Sequence, residues 1–353
     1  MKNMRKRYLF VPTVVLAATL YSCGSGNKLS PEEKEHARYD LILEDKLSMF
    51  GALPEVKDAG SAKSKLGYVL YYDNRLSKDG TQSCNTCHNL STYGVDLLPT
   101  SPGDLGKNGD RNSPTVLNAA LHQTQFWDGR AKDIEEQAGM PILNPVEMNI
   151  PSEAFLISRL KGIDLYTKLF AEAYPTDKDP ITYKNLRDAI GAFERELITP
   201  SRFDKYVKGD KGALTLDEKK GMLTFIEAGC TTCHAGALLG GDMFQKFGVY
   251  KPYHTFTASE KLDYGMYALS KDSNQLFMFK VPSLRNIAET KPYFHDGSVS
   301  DLSTAVKIMG HTQLDIELSE TEISKIVAFL GTLTGDIANP EYKKVPAELA
   351  SNK

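Results

Sequence analysis

Cys84-Asn85-Thr86-Cys87-His88 and Cys230-Thr231-Thr232-Cys233-His234 repeat one spacing, Cys-x-x-Cys-His, by which a c-type haem is attached to a polypeptide. The chemistry dictates the residue order. Two thiols form thioether bonds to the porphyrin vinyl groups, and the adjoining histidine is carried to one face of the iron. Four of the chain's five cysteines fall in the two copies, so a zinc knuckle or a set of buried thiols is the poorer reading. Two covalently bound haem c groups are therefore expected, one on Cys84, Cys87 and His88 and one on Cys230, Cys233 and His234.

The chain is 353 residues long and 41% hydrophobic, enough for two modest domains with cores of their own. Lys2, Arg5, Lys6 and Arg7 precede an apolar run from Tyr8 to Leu20 that is short for a membrane span, so residues 1–22 read as an export signal. The run ends in Leu20-Tyr21-Ser22-Cys23-Gly24, which resembles a bacterial lipobox and accounts for the fifth cysteine. A periplasmic protein, anchored to the membrane by a lipid on Cys23, is the expectation. Export agrees with the haem motifs, since attachment of this type is completed outside the bacterial cytoplasm. Without the four signal cations, the 42 Lys and Arg fall to 38 against 45 Asp and Glu, a net charge of −7. That balance argues against nucleic acid as a partner.

Residues 23–29 read as a polar tether. Ser30-Pro31-Glu32-Glu33 then has a helix N-cap, a proline at the first helical position and a glutamate three residues after the cap. Gly67 to Tyr72 is apolar and aromatic and reads as the end of a core element, helix or strand, leading to the first haem motif. Residues 89–109 turn to Gly, Pro, Ser and Asp and read as loop. Helices are expected over 152–162 and 182–199, the second from Leu186, Ile190, Phe193 and Leu197 at three- and four-residue steps, with Pro200 ending it. Thr215 and Glu218 form a second capping box, opening the helix that delivers Cys230, and Ser319 with Glu322 opens a last amphipathic helix. The expected organisation is a haem domain over 30–200, a second over 201–335 and a polar tail over 336–353.

The two halves resemble each other internally. At an offset of 168, Pro114 to Asn118 lies over Pro282 to Asn286, and Phe126-Trp127-Asp128-Gly129 over Phe294-His295-Asp296-Gly297. The haem motifs are 146 apart, so the second half carries 22 extra residues, expected within 235–279. Where the halves differ, the difference bears on chemistry. Met309 follows the Phe294 block at a distance that lets a helix return over a haem, and its thioether is a good sixth ligand. The same offset sets Pro141, which has no ligand atom, opposite Met309. One closed haem and one open haem follow, with Met140, one position away, as the residue that could slip into register.

These residues carry a resemblance. From about Lys46 to Gly335 the chain resembles the bacterial dihaem cytochrome c peroxidases, in the superfamily that includes the MauG-type enzymes. Besides the haem sites, the motifs are Arg111-Asn112-Ser113-Pro114-Thr115, Gln125 to Ala131, Lys280 to Asn286, Pro292 to Gly297 and Met309-Gly310. The resemblance implies a mostly α fold of two cytochrome-c-like haem domains with the haems facing the domain interface. It implies that His88 ligates the peroxidatic haem, that His234 and Met309 ligate the electron-receiving haem, and that Trp127, the only tryptophan, couples them. Gln137 and Glu147 match the pair that lines the peroxide pocket, Glu147 moving a proton between the peroxide oxygens. Asn112, Thr290 and Pro292 match positions that hold a calcium ion, the last two through main-chain carbonyls.

The function so implied is reduction of hydrogen peroxide to water, with electrons from a small cytochrome c or copper protein. Family members are often homodimers, which makes a dimer the expectation by analogy. One departure stands out. Many members carry a blocking histidine sixteen residues after the first proximal one, where this chain has Asp104, and no histidine lies between His88 and His122. The first haem is therefore expected to need no reductive activation, and His36, His122, His254 and His311 are expected to be structural or solvent-facing. Two other readings stand beside this one. A MauG-like oxidase would use a tyrosine where Met309 stands, and a dihaem electron carrier without peroxide chemistry would need six-coordinate iron at both haems.

Overall fold

The computed structural model describes residues 29–57, 59–257, 259 and 261–350. The expected export signal and Cys23 lie outside them. The structure is mostly helical. In chain order the helices are α1 (Pro31–Glu44), α2 (Ala62–Tyr72), α3 (Cys84–Cys87), α4 (Ile134–Leu143), α5 (Glu153–Lys161), α6 (Asp164–Ala173), α7 (Tyr183–Glu194), α8 (Arg202–Val207), α9 (Leu216–Glu227), α10 (Tyr267–Ser270), α11 (Leu302–Met309), α12 (Glu320–Gly331) and α13 (Ala347–Ala350). Strands β1 (Phe244–Lys246) and β2 (Met278–Lys280) pair antiparallel, Phe244 opposite Lys280 and Lys246 opposite Met278. Among the described residues no helix is long and apolar enough to cross a membrane.

The caps legible in the sequence are formed. Ser30 with Glu33, Thr215 with Glu218 and Ser319 with Glu322 make reciprocal capping boxes on α1, α9 and α12. Gly67 to Tyr72 is helical, the end of α2. The helix expected over 182–199 stops at Glu194. The reason is tertiary: Asn118 donates its amide to Leu197 O at 2.9 Å and accepts from the Thr199 amide at 3.0 Å, which draws the backbone out of the helix. Helix α6 has no counterpart in the sequence reading, although Leu165, Leu169 and Phe170 recur at helical steps behind Asp164.

Each half is built on one helix crossing. Helix α2 crosses α7, and α9 crosses α12. At both crossings a glycine meets the partner's main chain: a Cβ on Gly67 would stand 1.9 Å from Ala189 O, and one on Gly221 1.9 Å from Lys325 O. The duplication is also written in the backbone. Positive φ angles recur at Asn118 and Asn286 (62° and 60°), Phe126 and Phe294 (67° and 70°), and Gly129 and Gly297 (69° and 61°), each pair 168 residues apart. Asn118 and Asn286 both donate to Thr199 Oγ1, at 2.8 and 2.9 Å, so one hydroxyl joins the two equivalent turns.

Two large cores result. One gathers buried side chains between Leu66 and Ile190, the other those between Phe203 and Leu333. The terminal segments cross between them. Leu43 of α1 and Phe50 belong to the second core, and Lys219 of α9, itself buried, donates to Asp40 Oδ2 of α1 at 2.9 Å. Beyond Gly335 the chain returns to the first half, where Ile337 is buried with Tyr71, Tyr72 and Phe193, and the Tyr68 and Tyr72 hydroxyls donate to Glu341 O and Tyr342 O at 2.7 Å each. The stretch 235–279, where the second half was expected to be longer, carries β1, α10 and all but the last residue of β2. With Tyr293, Val299 and α11 it forms an aromatic cluster around Phe247, Tyr253 and Phe279.

Candidate functional site

Each attachment motif sits on a single tight turn. In α3, Cys84 and Cys87 are one turn apart, and the His88 amide closes on Cys84 O at 2.9 Å. In the second motif a 3-10 turn spans Cys230–Thr232, and the His234 amide closes on Cys230 O, also at 2.9 Å. All four cysteines are unpaired and half-buried. As free thiols they are poor nucleophiles, since burial pushes both Cys87 and Cys230 up to about 11. Among the described residues no three or more His, Cys, Asp or Glu side chains converge on a metal position. Two thiols and one imidazole per motif fit a covalently held haem.

The histidines are prepared as neutral ligands. His234 Nδ1 lies 2.8 Å from Leu239 O, and because a carbonyl only accepts, Nδ1 carries the proton and Nε2 keeps its lone pair. His88 is turned similarly, with the Gly94 and Pro114 carbonyls facing its ring, but its buried Nδ1 makes no hydrogen bond of good geometry. Burial lowers the pKa of both rings, so both are uncharged at neutral pH. The Tyr71 hydroxyl donates to His88 O at 2.5 Å. Around the second motif, the buried Arg285 donates to Ala237 O at 2.7 Å, three residues past His234, and to both oxygens of Asp204 at 2.7 and 3.0 Å.

Helices α4 and α11 begin at equivalent positions behind Asp133 and Asp301, whose side chains cap them, so the offset of 168 holds through both. Met309 is the last residue of α11 and, like Trp127 and Phe294, packs against the aromatic cluster. Pro141 stands at the matching point of α4, and Met140 faces outward, 38% exposed. Trp127 donates its indole N–H to Asn112 O at 2.9 Å and meets the His295 ring edge-on at 6.4 Å. His295 is the residue that the repeat aligns with Trp127, so the two equivalent positions touch where the halves meet.

Beyond Pro141 the chain turns through Asn144 to Glu147. Asn144 Nδ2 donates to Glu147 Oε1 at 2.8 Å, and burial raises the Glu147 pKa more than that bond and the charge of Arg130 lower it. Glu147 is also close enough to the first motif to act on the Cys87 thiol electrostatically. Gln137 lies half-buried on α4. Of the expected calcium positions, the Asn112 amide donates to His295 O at 2.8 Å, three residues past Pro292, while the Asn112 side chain donates to Leu98 O at 3.0 Å. Thr290 is half-buried and Pro292 buried.

Asp104 and His122 stand out in the sequence without their partners, and Glu194 does not stand out at all. Asp104 is buried, with its carboxylate accepting from Thr81 Oγ1 at 2.6 Å and the Asp79 amide at 2.9 Å. Burial alone would raise its pKa, but these bonds outweigh burial and lower it. Glu194 is buried at the end of α7, near Cys84 and Glu135. His122 is tied to Lys280, whose buried ammonium lies 3.0 Å from its Nδ1 and donates to Thr124 O at 2.8 Å. Burial and that cation push His122 down to about 3. Only a charge or a histidine signals such residues in a sequence; their partners lie far along the chain.

A duplicated helical frame that sets two Cys-x-x-Cys-His turns and two neutral histidines defines a two-haem cytochrome of the c type. The family model described as di-haem cytochrome c peroxidase matches residues 61–212. Cytochrome c551 peroxidase of Nitrosomonas europaea is 46% identical over 282 residues, covering 79% of this chain and 81% of the relative. The Pseudomonas aeruginosa protein of the same name is 42% identical, covering 88% and 91%. Methylamine utilization protein MauG of Methylorubrum extorquens is 32% identical, covering 83% and 84%. A solved MauG-like protein associated with microbial copper homeostasis superposes with a TM-score of 0.73 at 29% identity, covering 84% of this chain and 96% of that one. The chain belongs to the di-haem cytochrome c peroxidase family, and its cofactors are two haem c groups.

Proposed function

We propose that this protein reduces hydrogen peroxide to water, with electrons from a small cytochrome c or copper protein. The observation that carries the proposal is the inequality of the two halves: Met309 ends α11, while Pro141 stands at the same point of α4 with the protonatable Glu147 beyond it. The cytochrome c peroxidase names borne by relatives at 42–46% identity support the same reading.

Cys84 and Cys87 would hold one haem and Cys230 and Cys233 the other, with His88, His234 and Met309 as the iron ligands. When bound, the haems supply iron that takes up peroxide at one site and stores an electron at the other. The protein's own groups do the rest. Glu147, kept protonatable by burial, takes a proton at its carboxylate from the near peroxide oxygen and returns it to the far one, so that water leaves. Gln137 orients the peroxide by hydrogen bonding. Trp127, edge-on to His295 and packed against the same aromatic cluster as Met309, couples the halves. Asp104 spends its carboxylate on Thr81 and Asp79, which favours a first haem that is open without prior reduction.

The domains would be 30–200 and 201–335, with α1 and the segment after Gly335 exchanged between them. Asn112 with the carbonyls of Thr290 and Pro292 would hold calcium. The basic-apolar start of the sequence and the Cys23 lipobox favour a periplasmic, lipid-anchored protein, and a homodimer rests on analogy with the family. The test is steady-state peroxide turnover with a reduced cytochrome c, with and without prereduction. Wild type is expected to turn over under both conditions, and Glu147→Gln to lose about 10²- to 10⁴-fold in kcat. No turnover by wild type under either condition ends the peroxidase reading.

A further inference from the structure

Three segments meet beside the first haem motif: the leader 77–81, which runs into Cys84, the loop 101–109, and the turn 144–148 that carries Glu147. The Lys78 amide donates to Met148 O at 2.9 Å, joining leader and turn directly. Among the described residues the other hydrogen bonds that join the three segments are made by Asp104, with Gly103 in close contact beside it. The Asp104 amide donates to Glu147 O at 2.7 Å, while its carboxylate takes the Thr81 hydroxyl on Oδ1 and the Asp79 amide on Oδ2. Gly103 lies so close to the turn that a Cβ there would stand 1.9 Å from Val146 O. The loop itself is braced by the Gly103 amide on Lys107 O and the Gly106 amide on Gly103 O, each at 2.8 Å.

We propose that Asp104 is a positioning residue for Glu147, tying the main chain of the proton-transferring glutamate to the segment that fixes the first haem. Asp104 is buried, and both of its carboxylate oxygens accept, which is the work of an ionised side chain. Asparagine would keep the Asp79 bond and could hold Thr81 only by turning that hydroxyl into an acceptor. Glu147 has one side-chain bond, from Asn144, within its own turn. The main-chain bonds from Asp104 and Lys78 tie that turn to the haem segment, and the Asp104 link is the one that a side chain locks. A displacement of about 1 Å at a reacting group costs up to 10²-fold in rate. The proposal rests on Glu147 as the proton-transfer group.

The experiment uses the full haem-loaded protein and the variants Asp104→Ala, Thr81→Val and Glu147→Gln. It reads kcat and KM for peroxide, the acid limb of the pH-rate profile, and the absorption spectrum of the oxidised haems. Asp104→Ala is expected to lose about 10- to 100-fold in kcat with KM and spectrum unchanged, and Thr81→Val to lose less. In both the acid limb moves to lower pH, because water reaching a loosened Glu147 removes the burial that raised its pKa. Should Asp104→Ala fail to take up haem, Thr81→Val decides on the same readouts. Wild-type kcat and an unmoved acid limb in these variants, alongside a Glu147→Gln enzyme that has lost turnover, would overturn the proposal. Full turnover in Glu147→Gln would instead remove the reading of Glu147, and this proposal with it.

Discussion

Replacing Glu194 by glutamine probes the environment of the first haem motif through stability. Glu194 is 5% exposed and lies within electrostatic reach of Cys84, Tyr71, Glu135 and Arg195. Burial, and then the charge of Glu135, push its pKa from 4.5 up to about 8. The native state thus holds a proton that the unfolded chain releases above pH 4.5. In that window the unfolded state binds fewer protons, so stability falls as pH rises, fully retained below 4.5 and lost progressively up to about 8. At about 1.4 kcal/mol per pH unit, the span makes roughly 5 kcal/mol the upper bound of the loss. Glu194→Gln keeps the shape and carries no titration, so it should gain roughly 3–5 kcal/mol on wild type between pH 4.5 and pH 8.5. Denaturant unfolding of both haem-loaded proteins across that range measures the difference, and other titrating groups cancel between them. A difference that does not change with pH would refute the reasoning. Glu135→Gln should narrow the window from above, by removing the second cause of the shift.

Two further outcomes follow from the packing. Arg285→Met should cost about 3–5 kcal/mol, because it leaves the buried Asp204 carboxylate without its cation, and Asp204→Leu added to it should recover part of the loss; equilibrium unfolding of the single and double variants checks this. Gly67→Ala and Gly221→Ala should each cost at least about 1–3 kcal/mol, since their Cβ atoms would meet a main-chain oxygen that cannot turn aside; similar losses, read by thermal unfolding, are the signature of one crossing used twice.

Much of the architecture was legible because its signals are local or covalent. The Cys-x-x-Cys-His spacing needs only five consecutive residues, and the Ser30, Thr215 and Ser319 caps only four. The offset of 168 was readable because the turns it aligns demand the same unusual backbone, at Asn118 and Asn286 and at Phe126 and Phe294. The end of α7 was not legible, since the bonds that pull Leu197 and Thr199 out of the helix come from Asn118, 81 residues away from Thr199. Neither were α1 on the second core and Ile337 against Tyr71, Tyr72 and Phe193 of the first half, because an apolar stripe announces that it will be buried without saying against what.

What the sequence determined by itself, then, is chemistry fixed by neighbours in the chain: two haem attachments, two histidines beside them, a methionine facing a proline across the duplication. Tertiary structure alone decided the states of the groups around them. Asp104 reads as a loop carboxylate until Thr81, Asp79 and Glu147 close on it, and Glu194 as an ordinary helical glutamate until it is buried near Cys84. The physical reason is that a charge takes its pKa and its partners from burial and from groups brought together by folding, and neither is written in the residues beside it.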